Sequence, residues 1–167
     1  MAATPADLFA HLDAIGVAHA TVTHPPLRTV EDSQALRGDL PGGHAKNLFL
    51  KNKKDRLYLL VAEESADVRI KAFAKSVGAG SLSFGKPDLL LDVLGVVPGA
   101  VTPFALINAA PGAIDVCFDR ALMECDPLNF HPLDNTMTTT VSRAGLLAFI
   151  ESLGHACQTV DLDGSGA

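Results

Sequence analysis

Apolar and polar residues alternate with two different periods along this chain, and the periods separate helices from strands. Between residues 4 and 16, three apolar residues recur at helical spacing behind a threonine and a proline, and a glycine follows. This pattern predicts a capped first helix. Residues 18–24 alternate and are rich in β-branched side chains, which predicts a strand that ends at two prolines.

The same two periods predict a mixture of strands and helices over the rest of the chain. Strands are predicted over 45–51, 56–63, 81–85, 104–108 and 114–119, with a strand–turn–strand over 129–142 and an edge strand over 155–162. Helices are predicted over 29–38, 66–78, 86–95 and 143–154. Because a regular βαβα rhythm is absent, we expect a single-domain α+β fold, a mixed β-sheet surrounded by helices. Residues 1–163 would form this domain and 164–167 a flexible tail.

Composition narrows the class of protein. The length of 167 residues suits one domain, and 48% apolar with 19% charged residues is typical of a soluble globular chain. No apolar run is long enough for a membrane span, and the acidic N-terminus is unlike a secretory signal, so we expect a cytoplasmic protein. Three cysteines without a CxxC spacing favour neither disulfides nor zinc, and Cys117 lies in an apolar run typical of a buried residue.

Positive charge is concentrated in one segment of an acidic chain. The net charge is −6, yet five of the 13 lysines and arginines fall between Lys46 and Arg56. The predicted hairpin turn carries Lys51, Lys53 and Lys54, which are either a solvated turn or a landing site for a polyanion. The overall charge argues against a general nucleic-acid coat but permits local phosphate contacts.

Lys46 stands at the start of a strand with apolar residues on both faces. Alternation places Lys46, Leu48 and Leu50 on one face and Asn47 and Phe49 on the other. Lys46 should therefore lie at the edge of the core. It either packs its stem there with the ammonium in solvent, or holds a fixed cation for a phosphate or a polarised carbonyl.

A glycine- and proline-containing loop is the second candidate for chemistry. It comprises Gly99, Ala100, Val101, Thr102 and Pro103. Glycine permits close backbone approach and proline stiffens the loop, so its N–H groups could face a developing oxyanion. The alternative is an ordinary connection between elements.

Histidines provide the third candidate, without forming a metal motif. His131 and His24 each precede a proline, which favours extended backbone. His131 is a general base, part of a pocket wall or a satisfied structural histidine, and His24 has the same alternatives. HExxH spacing, a phosphate-binding loop and GxSxG are all absent, so we expect no metal and no cofactor.

Taken together, these segments resemble a known family. THPPLRTVEDS, HAKNLFLKNKK, DRLYLLVA, GAVTPFALIN and NFHPLDNTMTTTVS occur in the order and spacing of the YbaK/prolyl-tRNA-synthetase-associated editing domains. The chain is most similar to the free-standing ProXp-ala branch (ProX, PrdX). The family has a lysine at the position of Lys46 and a GxxxP loop that matches Gly99 to Pro103, and this branch has a pocket histidine like His131.

The resemblance implies a trans-editing hydrolase that deacylates mischarged Ala-tRNA(Pro), releasing alanine and free tRNA. Lys46 and the Gly99–Pro103 loop would be catalytic, with Lys46 holding the 3′ end of the tRNA. His131, Asn47 and Phe49 would contact the substrate, although alternation puts a direct catalytic role for Asn47 in doubt. Lys51, Lys53 and Lys54, together with Lys46, would bind tRNA. The implied partners are alanine-charged tRNA(Pro) and either prolyl-tRNA synthetase or an elongation factor, with the protein itself a monomer and no membrane involved.

Three other functions fit the same residues. A deacylase of the YbaK branch would act on Cys-tRNA(Pro) instead. A non-catalytic module would bind tRNA or a synthetase through the basic hairpin without turnover. In a purely structural domain the lysines would only aid solubility, and charge reversal would leave tRNA affinity unchanged.

Overall fold

The computed structural model describes residues 2–25 and 40–162, and within these residues it contains eight strands and six helical segments. The strands are β1 (His19–Thr23), β2 (Gly43–Asn52), β3 (Leu57–Glu63), β4 (Leu82–Phe84), β5 (Ile114–Asp119), β6 (Leu128–Phe130), β7 (Met137–Val141) and β8 (Cys157–Val160). The helices are α1 (Pro5–Ala14), α2 (Ile70–Val77), α3 (Pro87–Leu94), a 3-10 helix (Pro103–Asn108), α4 (Arg120–Met123) and α5 (Arg143–Ser152).

The first helix forms as its sequence predicts. The Thr4 hydroxyl accepts a hydrogen bond from the Asp7 N–H, and the Asp7 carboxylate accepts one from the Thr4 N–H, which together make a capping box. Leu8 and Leu12 are fully buried on its inner face. Gly16, with a φ of +75°, then turns the chain into β1.

The strands form one mixed sheet in the order β1-β7-β6-β2-β3-β5-β8, with β4 also paired to β2. The pairs β1–β7, β6–β7, β2–β3 and β2–β4 are antiparallel. The pairs β2–β6, β3–β5 and β5–β8 are parallel. The α+β prediction is confirmed, and β8 is the edge strand that its sequence predicted.

The two faces of the sheet bury separate apolar clusters. The larger cluster includes Phe49, Leu59, Phe104 and Phe130, and α1, α3 and α5 pack into it. The smaller cluster lies under α2 and includes Leu50, Leu60 and Phe73. Successive β2 residues contribute to opposite clusters, so this central strand is apolar on both sides, as its sequence indicated.

Two expectations for secondary structure differ from the structure or fall outside it. The strand predicted over 104–108 is wrong, because Thr102 caps a 3-10 helix there by accepting from the Phe104 N–H at 3.2 Å, and Pro103 occupies the first helical position. The short helix α4 was not predicted. The predicted helix over 29–38 lies outside the described residues.

Candidate active site

The candidate site lies beside a stretch of one edge of β2 that pairs with no described strand. Residues Gly43 and His44 pair with β6, and Leu50 to Asn52 pair with β4 along the same edge. The Phe49 carbonyl accepts from the Gly85 N–H at 2.9 Å, so odd-numbered residues direct their backbone groups to this edge. The N–H and C=O of Asn47 therefore face the gap, which neither pairing register reaches. Among the described residues, the sheet leaves this stretch of edge open.

Asn47 also carries a side-chain atom without a partner. Its Oδ1 is buried and accepts no hydrogen bond from the residues that the structure describes. Asn47 shares its face with Phe49, on the side of the larger cluster. A buried unsatisfied acceptor costs roughly 1–3 kcal/mol, so its presence calls for an explanation. A donor supplied by a bound molecule would provide one.

The Gly99–Pro103 loop lies on this same face. Ala100 and Phe104 belong to the larger cluster, and Val101 packs against it. Gly99 has a φ of +92°, which favours glycine, and the Ala100 N–H donates to the Val97 carbonyl at 3.0 Å.

Three backbone N–H groups of this loop lack a recorded acceptor among the described residues, and those of the partly or fully exposed Gly99 and Val101 are available to a ligand. Within residues 2–25 and 40–162, the N–H groups of Gly99, Val101 and Thr102 have no recorded acceptor. Thr102 is fully buried and its hydroxyl is engaged in capping. The loop is therefore held in place while it presents donors.

His131 directly follows β6, and a backbone carbonyl fixes its ring. Its Nδ1 donates to the Met137 carbonyl at 2.8 Å, because a carbonyl can only accept. Burial lowers the pKa of His131 below its ordinary value of 6.5, more than the bond to Met137 raises it. The ring is therefore neutral at pH 7, with the lone pair of Nε2 left to accept a hydrogen bond.

A second histidine supports the first. The His24 and His131 rings are 6.1 Å apart between centroids, and the charge of His24 further lowers the pKa of His131. The His24 N–H donates to the Thr136 carbonyl at 2.8 Å, and its Nε2 is 2.8 Å from the Thr138 hydroxyl. The His24 ring is therefore fixed at both nitrogens, since its Nδ1 donates to the Pro25 carbonyl at 2.8 Å.

The turn after His131 connects the two candidate loops. Asp134 accepts from the N–H and hydroxyl of Thr136 at 2.8 and 2.7 Å, and these bonds lower its pKa. Leu133 adopts a φ of +71°, which is strained for a leucine. The Asn135 amide lies 3.7 Å from where a Cβ on Gly99 would stand. The structure therefore brings the glycine loop and the histidine turn together.

Lys46 lies on the opposite face of β2. It pairs with Ala62 on the side of Leu48 and Leu50, and its ammonium donates to the Ala66 carbonyl in the connection between β3 and α2. The side chain is half-buried, so its position is defined. The structure thus places Lys46 at the core edge, as predicted, but across the strand from Asn47. Its role stays a prediction.

The hairpin cations are partly neutralised. Lys51 pairs with Asp55 at 3.5 Å, and Arg56 donates to both carboxylate oxygens of Asp115, which raises the pKa of Arg56. Exposed Lys53 and Lys54 have no recorded ion pair within the described residues. Lys51 is five residues from Lys46, about 17 Å along an extended strand, so a single small group could not contact both side chains.

The remaining candidates are buried in the core or stay untested. Phe49 is only 4% exposed, and its role in substrate binding stays a prediction. Cys117 is fully buried, and burial raises the pKa of its thiol to about 12, which agrees with the expectation of an inert core residue. The described residues contain no group of three or more metal-ligating side chains, and no described helix could span a bilayer.

Comparison with known proteins identifies the class. The profile of the aminoacyl-tRNA editing domain matches residues 24–149, a range that includes every candidate site residue. The chain belongs to this family, and it is an aminoacyl-tRNA deacylase.

Individual relatives specify the branch and the fold. The prolyl-tRNA editing protein ProX of Acetoanaerobium sticklandii is 29% identical over 156 residues, covering 93% of this chain and 95% of the relative. The prolyl-tRNA synthetase associated domain-containing protein 1 of Bos taurus is 34% identical over 149 residues, covering 86% of each. A crystal structure of a candidate trans-editing enzyme for prolyl tRNA synthetase superposes with a TM-score of 0.72 at 19% identity, covering 97% of this chain and 98% of that one. The resemblance to the ProX branch is confirmed.

Sequence reasoning missed the contacts that organise the site. It noted His24 and His131 separately, but their proximity comes from the antiparallel pairing of β1 with β7. The shared His-Pro dipeptide was the available signal. The gap beside Asn47 had no sequence signal, because it depends on where β4 and β6 end.

Proposed function

We propose that this chain hydrolyses the alanyl ester of mischarged tRNA(Pro), yielding alanine and free tRNA. The observation that carries this proposal is the family match over residues 24–149, which contains the glycine loop, His131 and Lys46. The name of the ProX relative, a prolyl-tRNA editing protein, supports the choice of tRNA(Pro). A separate editing enzyme is needed because the synthetic site of a prolyl-tRNA synthetase, shaped for proline, rejects a smaller amino acid by only about 1–3 kcal/mol.

The reaction is hydrolysis of an aminoacyl ester that is already activated. Water attacks the carbonyl carbon, the carbonyl oxygen takes the negative charge, and the C–O bond to the terminal ribose then breaks. The N–H groups of Gly99 and Val101 are suitable donors for that oxyanion or for the attacking water. The neighbouring ribose hydroxyl passes the proton to the departing oxygen, so the protein needs no general base.

His131 forms a wall of the pocket in this mechanism. Its neutral ring is fixed by the Met137 carbonyl and presents only the Nε2 lone pair. Asn47 Oδ1 is a second acceptor without a partner among the described residues, buried on the larger-cluster face of β2. Both suit a substrate with an α-ammonium group, which offers three N–H donors and no acceptor.

Cations hold the nucleic-acid part of the substrate. Lys46 would contact the 3′-terminal phosphate or the ester region. Lys51, near the end of β2, and Lys53 and Lys54, in the turn after it, would contact the acceptor stem. The reaction would take place in the cytoplasm with a monomeric enzyme. Docking on prolyl-tRNA synthetase or an elongation factor would bring it to the mischarged tRNA.

Single-turnover deacylation of Ala-, Cys- and Pro-tRNA(Pro) tests the proposal. We expect rapid loss of alanine, with cysteine and proline retained. Preferred loss of cysteine would indicate that the chain is a Cys-tRNA(Pro) deacylase of the YbaK type. Binding of tRNA without hydrolysis of any ester would contradict the proposal and favour a binding module.

A further inference from the structure

One aromatic ring of this chain is exposed. Eight phenylalanines and one tyrosine occur in the sequence, all within the described residues, and Phe84 alone among them is exposed, at 60%. Its pairing partner on β2, Leu50, is fully buried. Phe84 is the last residue of β4, so its ring stands at the end of the β2–β4 pair and is open to a ligand.

The backbone around Phe84 is fixed tightly against the core. Gly85 donates its N–H to the Phe49 carbonyl at 2.9 Å, and a Cβ on Gly85 would stand 2.4 Å from two atoms of the Phe49 ring. No other residue type fits there without displacing the ring. Phe84 is therefore attached to a rigid segment, which lowers the entropy lost when a flat ligand stacks on it.

Cations lie along the same face. Phe84 shares the face of its partner Leu50 and of Lys46. Because Gly85 continues the pairing by bonding Phe49 and Lys86 has extended backbone, alternation puts Lys86 on that face as well. The stretch from Leu50 to Lys46 covers about 13 Å along β2. The nearest carboxylate along the chain is Asp88, in the first turn of α3.

We propose that Phe84 is a stacking platform for a base of the single-stranded 3′ end of the tRNA, with Lys86 and Lys46 along its phosphates. This inference rests on the proposed function, because it assumes that the ligand is an aminoacylated tRNA. An exposed rigid aromatic flanked by lysines is the combination that binds single-stranded nucleic acid with little sequence preference. The platform would hold the nucleotides that precede the ester.

Binding of two RNA hairpins by fluorescence anisotropy tests the inference. One hairpin mimics the acceptor stem with a four-nucleotide 3′ overhang, and the other is blunt. Phe84→Leu keeps apolar bulk without an aromatic face, and Phe84→Tyr keeps the face. Leu91→Ala, at a site 55% exposed on α3, is the matched control for loss of apolar surface.

We expect Phe84→Leu to bind the overhang hairpin roughly tenfold more weakly and the blunt hairpin unchanged, while Phe84→Tyr and Leu91→Ala bind both like the wild type. Three outcomes would overturn the inference: unchanged binding by Phe84→Leu, equal weakening for both hairpins, or an equal effect of Leu91→Ala. A wild-type dimer that Phe84→Leu dissociates, with RNA binding intact, would assign the ring to a second copy of the chain and overturn it as well.

The deacylation assay separates this inference from the proposed function. Hydrolysis by the wild type together with normal overhang binding by Phe84→Leu contradicts the platform alone. Overhang-dependent binding without hydrolysis contradicts the proposed function and leaves the platform standing. Urea midpoints of all variants verify that each is folded.

Discussion

The contact between Gly85 and Phe49 gives a prediction whose size follows from the structure. Gly85 has no positive φ, so Gly85→Ala adds no backbone strain, but its Cβ would stand 2.4 Å from the Cδ2 and Cε2 atoms of Phe49. Phe49 is 4% exposed and packed within the larger cluster, so its ring can move aside only by displacing neighbouring side chains. Overpacking of this kind costs about 1–3 kcal/mol.

Urea denaturation measures this cost. With an m-value of about 2 kcal/mol/M, a loss of about 2 kcal/mol lowers the unfolding midpoint by about 1 M. In the background of Phe49→Leu, which removes the ring face that meets the new methyl, Gly85→Ala should cost less than about 1 kcal/mol. The coupling between the two positions is then at least about 1 kcal/mol.

Gly80→Ala is the matched control. Gly80 has a φ of +78°, and no atom lies within 4 Å of the point where a Cβ would stand, so its substitution meets strain without a clash. Its cost should be the same with Phe49 or leucine at position 49. Equal costs of Gly85→Ala in both backgrounds, or a cost below about 0.5 kcal/mol, would refute the packing argument.

Three further predictions concern charge and protonation. Because folding lowers the pKa of His131, the unfolded chain binds the proton more readily, and stability falls as the pH drops below about 6.5. His131→Gln should flatten this part of a plot of thermal midpoint against pH. An unchanged slope would contradict the assignment of this pH dependence to His131. Charge reversal of Lys53 and Lys54 should reduce the salt dependence of tRNA binding by roughly one phosphate contact each, whereas an unchanged salt dependence would indicate a solvated turn. Cys117 should not react with a thiol reagent at pH 8 until the protein unfolds; labelling of the native chain at Cys117 would contradict its burial.

Local signals in the sequence predicted most elements because the residues at their ends act locally. The threonine-proline pair at Thr4 and Pro5 starts α1, and Ser142 caps α5 by accepting from the Gly145 N–H. The same kind of pair at Thr102 and Pro103 starts the 3-10 helix. A strand was predicted there because the residues that follow are apolar. The capping signal at Thr102 and Pro103, which indicates a helix, was present in the sequence as well.

The arrangement of the site depended on contacts that have no local signal. Alternation along β2 correctly separated Lys46 from Asn47, since it needs only the strand period. The length of the unpaired edge beside Asn47 follows from the ends of β4 and β6, each three residues long. Likewise, Lys46 reaches the Ala66 carbonyl through a connection whose path cannot be read from periodicity.

Single-turnover deacylation of Ala-tRNA(Pro) by the wild type and by Lys46→Ala tests the central claim most directly. Lys71→Ala, at an exposed position in the first turn of α2, is the control for loss of one lysine charge. The account predicts release of alanine by the wild type and the control, and a rate at least about tenfold lower for Lys46→Ala, from one lost charged contact. Intact Ala-tRNA(Pro) after incubation with a folded wild-type enzyme would contradict it.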